Sequence, residues 1–276
     1  GAQAETILFV GNSFTYGAYS PVQTYRTESV TDLNGTGLGG VPALFAAFTR
    51  QAGLDYKVAL EAAPSKGLEF HHAEKGELIA RPWDHVVLQG VSLLDNAKPG
   101  DPSLLVRSAG ALAAAFKTQN PSVAVHLAAT WPRPDQVYLR SGHWHGKRLD
   151  DMAADVRRAN DLAASASPAI RGVIPVGEAW TPAISAGVAD ANPYDGIAPG
   201  QIDLWAPDRH HGSTAGYYLQ ALVIFGAVTG RDPRSLGAAE QAATDLKIPS
   251  GTAVALQKMA FETLAAERAR PVYGTW

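Results

Sequence analysis

The sequence contains no cysteine in its 276 residues and only two methionines. The absence of cysteine excludes a thiol nucleophile, disulfide bonds and metal sites built on thiolates. Long apolar runs are also missing, so no segment is long enough to cross a membrane as a helix. Neither sign of charge is in large excess: the formal net charge is -3 and there is no dense run of Lys and Arg. This balance argues against a nucleic-acid partner.

What the sequence does have is enough apolar content for one large domain. Hydrophobic residues make up 46% of the chain, which suffices for a sizeable core. We expect a single domain over residues 5–276. Residues 1–4 (GAQA) are expected to be a disordered tail or the remnant of a signal peptide, because their small-x-small pattern resembles the end of a cleavage site. In the second case the protein is periplasmic or secreted.

Five apolar segments alternate with helical patterns along the chain. Each segment is short. Segment 56–61 has a period-2 pattern and the other four are mainly apolar, as is typical of strands. The predicted strands are 7–10, 56–61, 85–89, 123–129 and 172–176. Such alternation predicts a parallel sheet, and right-handed crossovers bring all strand carboxyl ends to one edge. We therefore predict an α/β fold, a three-layer α/β/α sandwich with a parallel five-stranded sheet.

The first predicted strand ends in a serine. Segment 7–15 reads ILFVGNSFT, which places the Ser13 hydroxyl just beyond the carboxyl end of the strand. Ligands bind at this edge in open α/β sheets, and Gly11 allows the chain to turn sharply there. We interpret Ser13 as a nucleophile. In the purely structural alternative, Ser13 caps a helix and Gly11 is an ordinary turn residue.

A serine hydroxyl needs a base within hydrogen-bond reach to become nucleophilic. Segment 208–213, DRHHGS, offers a histidine with a carboxylate three positions before it. At this spacing Asp208 can reach the second imidazole nitrogen of His211 and fix its tautomer. We therefore predict Ser13, His211 and Asp208 as the catalytic residues. The alternative is that Asp208 caps a turn and His211 is a solvated surface residue.

These two blocks resemble those of the SGNH (GDSL-like) hydrolases, whose first block is Gly-Asp-Ser and whose last is Asp-x-x-His. The chain is more closely similar to a bacterial branch that begins Gly-Asn-Ser-Phe-Thr and has a Trp-Asp…Val-Val-Leu-Gln strand. Segments 11–15 (GNSFT) and 83–89 (WDHVVLQ) carry that likeness. The resemblance implies a flavodoxin-like sandwich and a serine esterase that works through an acyl-enzyme, with no cofactor.

Two middle blocks depart from the family pattern. The family's second block offers a glycine N–H to the oxyanion, and Ser65 lies at that place here. The third block is usually Gly-x-Asn-Asp, whereas segment 89–92 reads QGVS and has no Asn. We predict an oxyanion hole formed by the backbone N–H groups of Ser13 and Ser65 with the side-chain amide of Gln89. In the alternative, Gln89 only satisfies a neighbouring loop.

The substrate is less clearly indicated. Stretches 17–40 and 131–146 have no regular period and carry polar and aromatic residues with few long aliphatic ones, as functional loops do. This composition favours a short-chain or O-acetyl carbohydrate ester, with substrate contacts predicted at Trp131, Trp144 and Tyr194. A lipase or thioesterase for longer acyl chains stays an alternative, and so does a non-catalytic carbohydrate-binding domain that stacks aromatic rings on sugars.

Histidine pairs offer a rival chemistry. With carboxylates such as Asp208 they can bind zinc and activate water. The helical His-Glu-x-x-His pattern is missing, and we predict no metal. The oligomeric state stays open. The pairs are His71 with His72, His143 with His145, and His210 with His211.

Overall fold

The computed structural model describes residues 3–139 and 141–270. This part of the chain forms six β-strands and nine α-helices. The strands are β1 (Glu5–Gly11), β2 (Val30–Asp32), β3 (Tyr56–Ala62), β4 (His85–Leu88), β5 (Ala124–Ala128) and β6 (Ile170–Ile174). The helices are α1 (Ser13–Tyr16), α2 (Gly40–Gln51), α3 (Leu68–Ile79), α4 (Ser103–Gln119), α5 (Leu149–Ala166), α6 (Trp180–Ser185), α7 (Thr214–Thr229), α8 (Gln241–Asp245) and α9 (Ser250–Arg268).

All six strands are parallel and lie in the order β2-β3-β1-β4-β5-β6. The predicted α/β sandwich is confirmed, but the strand count of five is wrong. The extra strand β2 pairs Val30 with Val58 and lies inside the stretch that we predicted as a loop. With only three residues, two of them polar, it shows no period in the sequence. The other five strands have the flavodoxin-like order.

β1 is the central element of the sheet. Residues 7–10 are at most 1% exposed, because helices cover both faces of a parallel sheet. The chain runs from β1 to β3 on one side and later crosses to β4 on the other. The strand order therefore reverses between β1 and β4, and this is where open α/β sheets bind ligands, at the carboxyl ends of the strands.

Two rows of helices cover the sheet. Helices α2, α7 and α9 pack against one another on one face, and α3, α4 and α5 pack together on the other. At the β6 edge a buried arginine on α5 joins the two rows. Arg157 donates to Asp161 at 2.8 Å, to Glu178 at 2.7 Å and to Glu267 on α9 at 2.9 Å. None of the helices in the described ranges is long and apolar enough to span a membrane.

The predicted tail lies partly outside the described residues. Gly1 and Ala2 fall outside them, while Gln3 and Ala4 lead directly into β1. Residues 271–276, which we included in the predicted domain, also fall outside. The periplasmic or secreted location therefore stays a prediction.

Candidate active site

Three of the predicted side chains form one chain of hydrogen bonds. The Ser13 hydroxyl, at the start of α1, lies 2.9 Å from His211 Nε2, although the two residues are 198 positions apart. On the other side of the ring, His211 Nδ1 lies 2.7 Å from Asp208 Oδ2. When Nδ1 carries the proton and donates it to the carboxylate, Nε2 is free to accept the serine proton. The arrangement can therefore deprotonate Ser13.

The turn between β1 and α1 holds Ser13 in place. Asn12 is the N-cap of α1, and its Oδ1 accepts a 3.1 Å hydrogen bond from the Phe14 N–H. Gly11 is required by packing: a Cβ at this position would lie only 2.0 Å from Thr15 Oγ1. Ser13 is thus the first helical residue, and its own N–H precedes the intrahelical hydrogen bonds.

Asn12 also joins the turns that follow three adjacent strands. Its Nδ2 donates to the Lys66 carbonyl at 3.2 Å and to the Gly90 carbonyl at 3.3 Å. Its Oδ1 accepts a second hydrogen bond, from Gln89 Nε2 at 3.2 Å. The side chain is only 4% exposed and uses all of its hydrogen-bonding groups. It fixes the turns after β3 and β4 relative to Ser13.

The base and its carboxylate share one tight turn before α7. Asp208 Oδ1 accepts from the backbone N–H groups of His210 and His211, both at 2.9 Å. Burial opposes ionisation of Asp208, but the His211 ring and these N–H groups outweigh it and hold the pKa of the carboxyl below its usual range. Asp208 is therefore ionised at neutral pH and can stabilise a protonated His211.

Trp131 anchors this turn from below instead of contacting substrate. Its side chain is fully buried, and its Nε1 donates to the His210 carbonyl at 3.0 Å. Its ring is stacked on Phe14, with centroids 4.3 Å apart. Trp205 makes a similar hydrogen bond: its Nε1 donates to the Pro132 carbonyl at 2.9 Å. The prediction of Trp131 as a substrate contact is wrong, because its ring is enclosed between two elements.

The other two predicted substrate contacts are also placed elsewhere. Trp144 is 1% exposed and donates to Asp155 Oδ2 at 3.0 Å, so its ring belongs to the core. Tyr194 is exposed but packs edge-on against Tyr138, at a centroid distance of 6.1 Å, and is not part of the wall around Ser13. The prediction for Trp144 is wrong, because its buried ring holds an irregular segment in place. Tyr194 as a substrate contact stays a prediction.

A cavity of about 280 Å³ opens beside Ser13 and His211. Its wall comes from the turns after β1, β3, β4 and β5 and from the turn before α7. Larger cavities of about 580 and 940 Å³ lie elsewhere and contain neither of these residues. The lining residues are Asn12, Ser13, Phe14, Ser65, Val91, Ser92, Leu93, Asn96, Arg133, His210 and His211.

Two backbone N–H groups of this wall match the predicted oxyanion hole. The N–H groups of Ser13 and Ser65 make no hydrogen bond to any described residue, and both residues line the cavity. Ser65 has φ +64°, the left-handed region that glycine adopts most readily. Ser65 thus holds, in the turn after β3, a conformation that glycine favours, and the oxyanion role of its N–H stays a prediction.

Gln89 is not part of the cavity wall. Its side chain is 3% exposed; its Nε2 donates to Asn12 and its Oε1 accepts from Gln220 Nε2 at 3.1 Å. The predicted contact of its amide with the oxyanion is therefore wrong. A buried amide needs partners on both sides, and Gln89 finds them in Asn12 and in α7. It supports the β1–α1 turn from behind.

Two residues near Ser13 and His211 were not among the predicted site residues. Arg133 follows β5, lines the cavity and is 6% exposed. Tyr19 is 73% exposed, has φ +64°, and its ring centroid lies 4.7 Å from that of His211. The position of Arg133, just after a strand at the ligand-binding edge, was the available signal. Tyr19 belongs to the aromatic residues of the irregular stretch 17–40, but only the folded turn brings it to His211.

One group of three potential metal ligands exists among the described residues. Asp208, His210 and His211 offer ligand atoms within 4.8 Å of one another. His71, from another predicted pair, is buried and serves the β1 end: its Nε2 lies 2.8 Å from the Gly11 carbonyl, and its Nδ1 is paired with Glu61. The zinc alternative thus reduces to the Asp208 turn, which the chelation experiment described below tests.

No family model matches the chain, and no curated protein matches it in sequence. Several solved structures match its fold. A DUF4886 family protein from Bacteroides uniformis is 16% identical with a TM-score of 0.66, and the match covers 98% of each chain. TesA is 14% identical with a TM-score of 0.52, covering 82% of this chain and 99% of that one. A Clostridium thermocellum family 3 carbohydrate esterase is 16% identical with a TM-score of 0.50, covering 81% and 94%.

At identities this low the likeness concerns the fold. The predicted resemblance to the SGNH hydrolases is confirmed at that level, and the branch that begins Gly-Asn-Ser-Phe-Thr stays a prediction. The chain has the fold of the SGNH (GDSL-like) hydrolases.

Proposed function

We propose that the protein is a serine esterase that cleaves a short-chain or O-acetyl carbohydrate ester through an acyl-enzyme. The observation that carries the proposal is the hydrogen-bonded chain Ser13–His211–Asp208 at the wall of a cavity. Structural neighbours that include a carbohydrate esterase support ester hydrolysis in general. The chemistry uses only side-chain and backbone groups of this chain and needs no cofactor.

In the first half of the reaction, Ser13 Oγ attacks the ester carbonyl carbon while His211 Nε2 takes its proton. The carbonyl oxygen gains the negative charge, which the N–H groups of Ser13 and Ser65 stabilise. Asp208 stays ionised and holds the imidazolium in orientation. Collapse of the tetrahedral intermediate breaks the ester C–O bond. The departing alcohol takes the proton from His211, and the acyl group remains on Ser13.

In the second half, a water molecule replaces the alcohol. His211 removes one proton from the water as its oxygen attacks the acyl carbon, and the same N–H groups stabilise the second oxyanion. Breakdown of this intermediate returns the proton to Ser13 Oγ and releases the carboxylic acid. The free enzyme is regenerated with His211 neutral, so one water is consumed for each ester cleaved.

Two features support a small acyl group and a sugar as the alcohol. The cavity of about 280 Å³ is small, and most of its lining residues are polar or aromatic rather than long aliphatic. Outside it, the exposed ring of Tyr19 stands next to His211, where a flat aromatic face can stack on a sugar ring. A lipase-like enzyme would need a continuous apolar groove for a long chain.

A series of 4-nitrophenyl esters from acetyl to dodecanoyl tests this proposal. We expect kcat/KM to be highest for the acetyl ester and to fall with acyl chain length. Ser13→Ala and His211→Ala should abolish turnover, while circular dichroism shows that both variants are folded. A steady rise of kcat/KM toward long chains would favour the lipase or thioesterase alternative. Binding of acetylated sugars without turnover of any ester would favour the non-catalytic one.

A further inference from the structure

One wall of the cavity carries a buried cation that the proposed mechanism does not use. Arg133 lies in the turn after β5 and is 6% exposed, yet it lines the same cavity as Ser13. Its Nε donates to Asp135 Oδ1 at 3.0 Å and its Nη2 to Asp135 Oδ2 at 2.7 Å. Its Nη1 donates to Ser92 Oγ at 3.1 Å. These contacts fix the plane of the guanidinium.

The remaining donors of Arg133 are defined by these contacts. A guanidinium has five N–H groups, of which three are bound to Asp135 and Ser92. Among the residues that the structure describes, none accepts the remaining N–H on either terminal nitrogen, so one donor on each is left for a ligand. A pair of donors on the two terminal nitrogens matches the two oxygens of a carboxylate.

The charge on the cavity wall is also one-sided. None of the described lining residues is an Asp or Glu. Asp135 is bound to Arg133 but does not line the cavity. Burial, followed by the positive charge of Arg133, lowers the pKa of His210 to about 4, so this neighbouring imidazole is neutral near pH 7. A ligand in the cavity therefore meets the cationic side of the Arg133–Asp135 pair.

The geometry points to Arg133 as the recognition site for a carboxylate on the substrate, so that the preferred substrate is an ester that also carries an anionic group. This inference rests on the proposed esterase function and narrows its substrate class. Because the cavity is small, the carboxylate and the ester belong to one compact molecule, such as an acetylated acidic sugar. A buried arginine that bonds a carboxylate also recovers part of the cost of its own desolvation.

Matched ester pairs test the inference. In one set the carboxylate is on the alcohol part: 3- and 4-acetoxybenzoate against their methyl esters. In the other it is on the acyl part: phenyl hydrogen glutarate against methyl phenyl glutarate. The readout is the ratio of kcat/KM for the carboxylate to that for its methyl ester. In the wild-type protein we expect this ratio to exceed about tenfold in at least one set, the size typical of a charged hydrogen bond.

Variants then assign the preference to the guanidinium. Arg133→Gln is expected to bring the ratio close to one, and Arg133→Lys to keep part of it, because an ammonium retains the charge but loses the fork. Arg107→Gln, which removes an exposed arginine on α4, is the charge-matched control and is expected to keep the wild-type ratio. Circular dichroism verifies that each variant is folded.

The outcomes separate this inference from the function on which it rests. Hydrolysis of these esters without a carboxylate preference, or with a preference that Arg133→Gln leaves intact, overturns the inference and leaves the esterase proposal standing. No hydrolysis of any ester by the wild-type protein overturns both. A preference that disappears in Arg133→Gln and survives in Arg107→Gln supports the inference.

Discussion

At the scale of single residues, Ser65 holds a backbone conformation that costs free energy. Its φ of +64° brings the Cβ of an L-residue close to its own backbone, a strain of about 1–2 kcal/mol that glycine avoids. The proposed role of Ser65 uses only its N–H, which any residue except proline keeps. The side chain is therefore replaceable, whereas the turn is not.

Ser65→Gly is expected to raise the free energy of unfolding by up to about 1 kcal/mol, after allowance for the larger entropy of glycine in the unfolded chain. The expected kcat/KM on an acetyl ester is close to wild type. Lys247→Gly is the control, because Lys247 has φ +61° and does not line the cavity. Urea unfolding and ester kinetics check both variants. A large loss of kcat confined to Ser65→Gly would show that the hydroxyl takes part in the reaction.

At the scale of elements, the site depends on how the turns after β1, β3 and β4 are joined. Asn12 connects them with two donated and two accepted hydrogen bonds. An ionised Asp at this position would accept hydrogen bonds but could not donate them. In this chain an Asp would face two carbonyl oxygens, of Lys66 and Gly90, with negative charge and no proton to share.

Asn12→Asp is therefore expected to lower the free energy of unfolding by about 1–3 kcal/mol. It should also lower kcat, because the turns that carry Ser13 and Ser65 are no longer held together. Asn120→Asp is the matched control. Asn120 donates to the Trp83 carbonyl at 2.9 Å and accepts from the Ser122 N–H at 3.0 Å, and it does not line the cavity. The Asn120→Asp variant should be less stable than the wild-type protein and have the same kcat. Equal kcat in wild type and Asn12→Asp would show that the turns are held by other contacts.

The elements that could be predicted from the sequence are those with a pattern among neighbouring residues. Five strands are short segments in which apolar residues predominate, and the Asp208–His211 spacing lies within one turn of chain. Gln89 was misplaced because its partners Asn12 and Gln220 are 77 and 131 positions away. Trp131 was misplaced for the same reason, since its partner His210 is 79 positions away. The direction of a side chain at the end of a strand depends on such distant neighbours.

At the scale of the whole molecule, a buried histidine couples stability to pH. His126 on β5 is 8% exposed, and burial, aided by His85 and Arg171, lowers its pKa to about 4. The unfolded chain takes up a proton at this imidazole as pH falls below about 6.5, whereas the folded protein stays unprotonated down to about 4. Stability is therefore lost as pH falls through this window, by roughly 3 kcal/mol for this group.

Urea unfolding between pH 7 and pH 4.5 measures this coupling. The wild-type midpoint is expected to fall as the pH is lowered, and His126→Gln should fall less steeply, whatever its absolute stability. His72→Gln, which removes an exposed imidazole, should keep the wild-type slope. Identical slopes in wild type and His126→Gln would mean that His126 does not resist protonation in the folded state.

The most direct test of the central claim, that His211 activates Ser13, is covalent labelling with a fluorophosphonate followed by intact mass and peptide mapping. Only an activated hydroxyl reacts, since ordinary serines stay protonated. We expect one adduct on Ser13 in the wild-type protein and none in Ser13→Ala. The control Ser235→Ala, which changes an exposed serine, should still form one adduct. EDTA should leave the esterase activity unchanged. No adduct on Ser13, together with activity that EDTA removes and zinc restores, would contradict the account and assign the Asp208 turn to a metal.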